Sequence, residues 1–352
     1  MSESSSTASR RATALCGRPR FPEASQLSAA SSPVAADPNL TADLAALSSG
    51  AALVERAADL LELTGPDSLR LLNGLVTADV KTAAVGSAVG GFFTTGQGRI
   101  LADFHLLSGV ESCWLVLPSG TGDTIRTHLE KYKVASRVEI SEVANRSLIE
   151  LCGPRASEVA AAVPELLSSE GNERMVFAER GRFFLLPRAF PPGEPMTLRL
   201  STASGSGMRR VSAAAVEIAR IEAGELVFGI DFSGENFPQE TGRDSAVSYS
   251  KGCYLGQEVV ARIHYRGGVQ RLPRGLRFVS GPPPVAGTEL LLEGRAVGRA
   301  TSVASSPRFG AIGLGLVHQR GASPGAQLET EGGAVAEVVE LPFGSPQKEE
   351  AG

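Results

Sequence analysis

A chain of 352 residues with 42% hydrophobic and 20% charged residues can bury a large core, allows two or three domains, and is not a disordered protein as a whole. A formal net charge of −4 gives no global nucleic-acid signature, so any basic surface must be local, and no stretch reaches the roughly 18 to 20 apolar residues that span a bilayer. Cys16, Cys113, Cys152 and Cys253 lie far apart with no Cys-x-x-Cys pair, which argues against structural zinc, a self-contained iron–sulfur cluster and a disulfide framework, and for a reducing compartment.

Residues 1–38 are rich in Ser, Ala and Pro, and Arg10, Arg11, Arg18 and Arg20 outnumber Glu3, Glu23 and Asp37. They lack a secretory h-region and read as a disordered extension, with an organellar transit peptide as the alternative. The expected location is cytoplasmic, or the mitochondrial matrix or chloroplast stroma if a transit peptide is cleaved. From Leu40 onward, short strands alternate with amphipathic helices. Leu61 and Leu63 mark a strand, Gly65-Pro66 a turn, and Asp67 is placed to cap a helix with Leu69, Leu72 and Val76 on its apolar face. "GGFFTTGQGRILADFHLL" reads as a hairpin turning over Thr94 to Gly98. Asp123 or Thr124 is expected to cap a helix carrying Ile125, Leu129 and Tyr132. "RSLIELCG" and "RFFLLP" read as strands, and a further helix from Val211 is expected to end at Gly224.

After Arg271 the pattern changes to short strands spaced by Gly and Pro: "RGLRFVSG", "TELLLEG", "AVGRATSVASS", "AIGLGLVHQ" and "AEVVELPF". These predict a small all-β domain over 271–343, preceded by α+β lobes over 39–270 and followed by a flexible tail at 344–352.

Charge is uneven around the junction. Residues 217–244 hold seven acids against Arg220 and Arg243, whereas residues 251–274 hold five bases against Glu258. Either the two segments pin each other by ion pairs, or the basic one forms a wall for an anionic ligand. Within the basic segment, "KGCYLGQE" (251–258) combines a cation, a thiol, an aromatic ring, an amide and a carboxylate between glycines. "GQEVVARI" can begin a helix with Val259, Val260 and Ile263 inward, which puts Cys253 just before a helix N-terminus and two residues from Lys251. Both features favour thiolate, and so a nucleophile or metal ligand; a small buried thiol in a glycine turn is the other reading. His264 has no visible metal-binding partner and reads as a packed or hydrogen-bonding side chain. Asp103 reads as a turn or buried-network residue.

"KGCYLGQEVVARIHYRG" closely resembles the signature of the YgfZ family, the folate-binding-like branch of the superfamily that includes the glycine-cleavage T protein. "GPDSLRLLNGLVTADV", "GQGRILADFHLL", "EKYKVASRVEI", "RIEAGELVFGIDFSGENFPQE" and "VGRATSVASSPRFGAIGLGLV" resemble family segments in the right order. The resemblance implies an α+β fold of three lobes around a central opening, two intertwined and the third a C-terminal β-barrel. It implies a tetrahydrofolate-binding accessory protein for assembly or repair of iron–sulfur clusters in client enzymes, with a link to tRNA modification. Its partners would be those clients or cluster-assembly proteins, without direct nucleic-acid or membrane contact. Cys253 is the residue most associated with that role, and Lys251, Tyr254, Gly256, Gln257 and Glu258 match the rest of the signature. Arg262, Tyr265 and Arg266 would grip a carboxylate or stack on the pterin, with Asp103 and Glu222 nearby. No permanently bound metal is expected; any cluster contact through Cys253 would be transient. The alternatives are a folate-dependent aminomethyltransferase or demethylase and a non-catalytic scaffold. Against the former, Ala102 replaces one acid of the T-protein Gly-Gly-x-x-Asp-Asp pattern, and Arg99 stands where its second glycine would be.

Overall fold

The structure, a computed structural model, describes residues 38–143, 148–162, 176–179, 182–185 and 209–344. The expectations for residues 1–37 and for the tail after 344 lie outside them. No helix among the described residues is long and apolar enough to cross a membrane.

Two five-stranded sheets share the N-terminal part of the chain. After helix α1 (Pro38–Ser49), strand β1 (Ala52–Arg56) enters the first sheet, and β2 (Ala58–Thr64) already belongs to the second. The second sheet is completed by β3 (Ala88–Thr94), β4 (Ile100–Ser108), β5 (Ser112–Pro118) and β6 (Glu139–Glu142), in the order β3-β4-β5-β2-β6. The chain then returns to the first sheet through β7 (Leu148–Cys152), β8 (Val176–Glu179), β9 (Arg182–Leu185) and β10 (Arg209–Arg210), with helix α4 (Ala156–Ala162) after β7. Along the chain, the second sheet is thus inserted between β1 and β7 of the first.

The hairpin β3–β4 turns where the sequence places it, and alternation along it supplies two faces. Phe93, Ala102, Phe104 and Leu106 point toward helices α2 (Ser68–Asn73) and α3 (Gly122–Tyr132), packing on Leu71, Leu72, Ile125 and Leu129. Phe92 and Ile100 point the other way, into a cluster shared with the barrel.

Two helix expectations are corrected. Asp67 stands at the N-cap of α2, but its carboxylate accepts from the Arg137 backbone N–H (2.9 Å) instead of capping, and the helix stops at Asn73. Val76 therefore lies beyond the helix, bridging to Phe93. Helix α3 has Thr121 at its N-cap, not Asp123 or Thr124; Asp59 Oδ2 takes the Gly122 N–H at 2.7 Å, doing from β2 what a local cap would do.

Helix α5 (Ala213–Ala223) follows the sequence closely: Ser212 accepts from Ala215 N–H at 3.3 Å, and Gly224 closes the helix at φ 73°. The C-terminal strands form a closed six-stranded barrel: β11 (Arg271–Ser280), β12 (Glu289–Leu292), β13 (Arg295–Ser306), β14 (Gly310–His318), β15 (Gln327–Thr330) and β16 (Val335–Val339). Five of these match sequence runs. The sixth, "QLET", went unread because four residues with only Leu328 apolar give no strand signal, although Leu328 is fully buried. The α+β fold with a C-terminal barrel is as expected.

Candidate functional site

The segment 248–257 is stitched to the second sheet and to the turn after α2. Ser248 N–H donates to Thr77 O (2.9 Å), Leu255 N–H to Gly74 O (3.0 Å), and Thr94 Oγ1 to Leu255 O (2.6 Å). Lys251 reaches furthest. Its ammonium donates to the backbone carbonyls of Asn73 (2.8 Å), Val76 (2.7 Å) and Ala78 (2.6 Å), and it lies 4.9 Å from the Tyr254 ring centroid. Three donors meet three carbonyl acceptors, one from the last residue of α2 and two from the chain reversal that follows it. Burial pulls the Lys251 ammonium down to about 8, opposed by the Asp79 carboxylate.

Tyr254 is buried among Phe92, Phe232, Val260 and barrel residues, and burial raises its phenol far above the ordinary range. Its N–H donates to Gln257 Oε1 at 3.3 Å. Gly256 sits at φ 85°, where a Cβ would stand 2.4 Å from Thr95 O; only glycine permits the approach. Gly256→Ala is expected to destabilise the protein by about 1–3 kcal/mol, read as a lower urea midpoint with an unchanged slope. A midpoint equal to wild type would show that this approach is not constrained.

Between these anchors, Gly252 and Cys253 are exposed, and the space beside Gly252 is open. Helix α6 (Gln257–Arg262) starts four positions after Cys253, with Gly256 as N-cap. The sequence placed Cys253 under the joint influence of a helix N-terminus and Lys251. Instead, the Lys251 donors are committed to carbonyls, and the thiol projects from a loop ahead of a six-residue helix. Among the described residues no group of three or more His, Cys, Asp and Glu side chains is arranged to hold a metal. Cys113 is buried and its thiol is pushed up to about 12; Cys152 is half-buried at the end of β7.

The other expected site residues divide into three places. Asp103, opposite Phe92 on β4, accepts from Arg243 Nη1 at 2.6 Å, and the Arg243 guanidinium lies 4.9 Å from the Phe92 ring centroid. Glu222 is held at the barrel: Ser306 Oγ donates to it at 2.6 Å and Arg308 pairs with it at 3.3 Å. Glu222 therefore joins α5 to the barrel, not to the residues around Tyr254. Glu258, Arg262, Tyr265 and Arg266 are exposed on α6 and the π-helical turn Ile263–Gly267 that continues it. His264 has the packing role expected of it, stacked on Tyr249 with ring centroids 3.8 Å apart.

Sequence reasoning missed three residues of this region. Gln239 donates to Val260 O (2.7 Å) and to Tyr249 Oη (3.4 Å), while its Oε1 is buried without a partner among the described residues, as is Tyr254 Oη. Arg220 and Asp231 form a buried ion pair at 2.8 Å between α5 and the loop that lies over the barrel. A cleft of about 470 Å³ opens between that loop and the barrel, lined by Ile230, Phe232, Asn236, Arg271, Arg299 and His318 among others. No residue of 251–258 lines it.

Residues 29–179 match the GCVT N-terminal domain, and residues 273–343 match the glycine cleavage T-protein C-terminal barrel domain. The tRNA-modifying protein YgfZ of Pectobacterium atrosepticum is 29% identical over 244 residues, covering 66% of this chain and 72% of that protein. YgfZ of Photorhabdus laumondii is 26% identical over 245 residues with the same coverage. The chain is similar to the YgfZ proteins and matches both domains of the glycine cleavage T protein. Its fold is that of the wider T-protein group: glycine cleavage system aminomethyltransferase T from Bartonella henselae superimposes with a TM-score of 0.71 at 22% identity, over 86% of this chain and 89% of that one. Within this YgfZ-type fold, the 251–258 loop joins the second sheet to α6, and the closed barrel packs behind Tyr254.

Proposed function

We propose that this chain is a YgfZ-type accessory protein, linked to tRNA modification, that supports assembly or repair of iron–sulfur clusters in client enzymes through Cys253. One observation carries the reading. Lys251, Tyr254, Leu255 and Gly256 are each fixed by buried or short-range contacts, while the thiol between them is offered to solvent. A loop built for packing alone would not hold an exposed cysteine on so firm a mount. An exposed thiol on a fixed loop suits brief contact with a partner's cluster or persulfide, since a single thiolate cannot hold a cluster unaided. The name carried by the relatives supports clients that act on tRNA.

Tetrahydrofolate is the cofactor that the fold implies. Tyr254 Oη and Gln239 Oε1, both buried without a partner among the described residues, fit the donor and acceptor edge of a pterin. These two side chains would bind and orient it; folate when bound supplies a carrier for one-carbon groups. The Asp103 carboxylate is held by a guanidinium, which favours an accessory role over transferase chemistry.

In a strain lacking the protein, Cys253→Ser is expected to restore cluster-enzyme activity no better than empty vector, at wild-type abundance, because the exposed thiol contributes little to stability. Full restoration by the serine variant would reject the thiol role.

A further inference from the structure

Four acids of 217–244 and two bases of 251–274 find partners outside the other segment. Of the seven acids, Glu217 and Asp231 are taken up by Arg220, Glu222 by Ser306 and Arg308, and Glu240 by Asn236 and the Phe237 N–H. Glu235 and Asp244 are exposed, and burial, with the nearby Asp244 carboxylate adding to it, raises the Tyr249 phenol. Of the five bases in 251–274, Lys251 and Arg274 donate to backbone carbonyls. Arg262, Arg266 and Arg271 are exposed and form no ion pair among the described residues. No acid occurs anywhere from Val259 to Thr288. A local cationic surface is therefore left over, which the overall charge of −4 conceals.

That surface carries aromatic rings. Tyr249 packs on the buried cluster and stacks with His264 at 18°; Tyr265 meets both edge-on, 4.8 Å from His264 and 6.1 Å from Tyr249. His264 is exposed and Tyr265 is 68% exposed. A half-buried tyrosine thus supports an imidazole whose outer face is open, with a phenol ring standing at its side. The corner is built on a π-helical turn, a winding that occurs often at functional sites, and Arg262 and Arg266 lie one turn apart on it. Flat rings offered for stacking beside unpaired guanidinium groups are what single-stranded nucleic acid requires: a base takes the ring face and the phosphates take the arginines.

We propose that the His264–Tyr265 corner, with Arg262 and Arg266, binds an unpaired base and adjoining phosphates of a single-stranded RNA segment. The choice of RNA rests on the tRNA-linked reading above and extends it from clients to direct contact. A duplex presents neither free base faces nor this local fit, so selectivity for unpaired RNA is part of the proposal.

The test is fluorescence anisotropy of the full chain with a labelled 12-nucleotide single-stranded RNA and with the same RNA as a duplex. Saturable binding of the single strand is expected, at least several-fold tighter than the duplex. Tyr265→Ala should weaken it about ten-fold. Arg262→Gln with Arg266→Gln should reduce the slope of log affinity against log salt by about 0.7 for each phosphate contact removed. All these side chains are exposed, so melting temperatures should not change. Absence of saturable binding, or binding indifferent to these substitutions, overturns the proposal. So does the result that they weaken titrated tetrahydrofolate while leaving RNA binding intact, because the corner would then serve the folate tail. Wild-type complementation without RNA binding would remove this inference and leave the proposed function standing.

Discussion

Arg220→Ala is expected to lower the unfolding free energy by about 3–5 kcal/mol, the range for removing one member of a buried ion pair. The guanidinium is 5% exposed and the Asp231 side chain is fully buried. Arg220 donates to Asp231 Oδ2 (2.8 Å), Ser302 Oγ (2.6 Å), Glu225 O (3.1 Å) and both oxygens of Glu217. Asp231 in turn accepts from Thr301 Oγ1 (2.5 Å), Ser302 Oγ (2.7 Å) and Val227 N–H (2.9 Å). One network therefore ties α5, the 225–236 loop and β13 together, and its removal leaves a carboxylate buried without its countercharge. Urea unfolding of Arg220→Ala should show the loss, and Arg220→Met with Asp231→Leu should recover much of it by removing both charges. A single variant within about 1 kcal/mol of wild type would mean that water reaches Asp231 and that the loop–barrel joint rests on apolar packing alone.

That network marks the limit of what the sequence made legible. Elements set by local chemistry could be read directly. The Ser212 and Gly224 ends of α5, the β3–β4 hairpin and most of the barrel depend on neighbours a few residues away. Partners far apart in sequence could not be read. Arg220 and Ser302 are 82 positions apart, and the Glu222 partner Ser306 is 84 away. The charge imbalance at 217–244 is visible, but not that four of its seven acids find partners outside 251–274, or that Arg262, Arg266 and Arg271 form no ion pair among the described residues. The same limit applies at the candidate site. "KGCYLGQE" points to the loop, and Cys253 is exposed on it. The role of Lys251 was misjudged, because the nearest ionisable group in sequence was taken as its partner when its acceptors lie 173 to 178 positions earlier.

Lys251→Met tests that reassignment. Methionine keeps the length and apolar stem of lysine but leaves the carbonyls of Asn73, Val76 and Ala78 without their donor. A buried acceptor left unpaired costs about 1–3 kcal/mol, and partial access of water to this half-buried site brings the expected total to about 2–4 kcal/mol. Lys251→Arg should not rescue it, because a planar fork cannot place three donors on acceptors that converge on one point. The loss should appear in urea unfolding, with faster hydrogen exchange confined to 73–78 and 248–256, the segments that the ammonium joins. Cys253→Ser should leave both measurements at wild-type values and abolish complementation. The pair of variants separates mount from thiol: a folded Lys251→Met protein should retain Cys253 but present it on a loosened loop, and so complement partially. If Lys251→Met instead unfolded like wild type and abolished complementation as completely as Cys253→Ser, the ammonium would be acting on the thiol chemistry itself. The carbonyl cage would then be only where it rests.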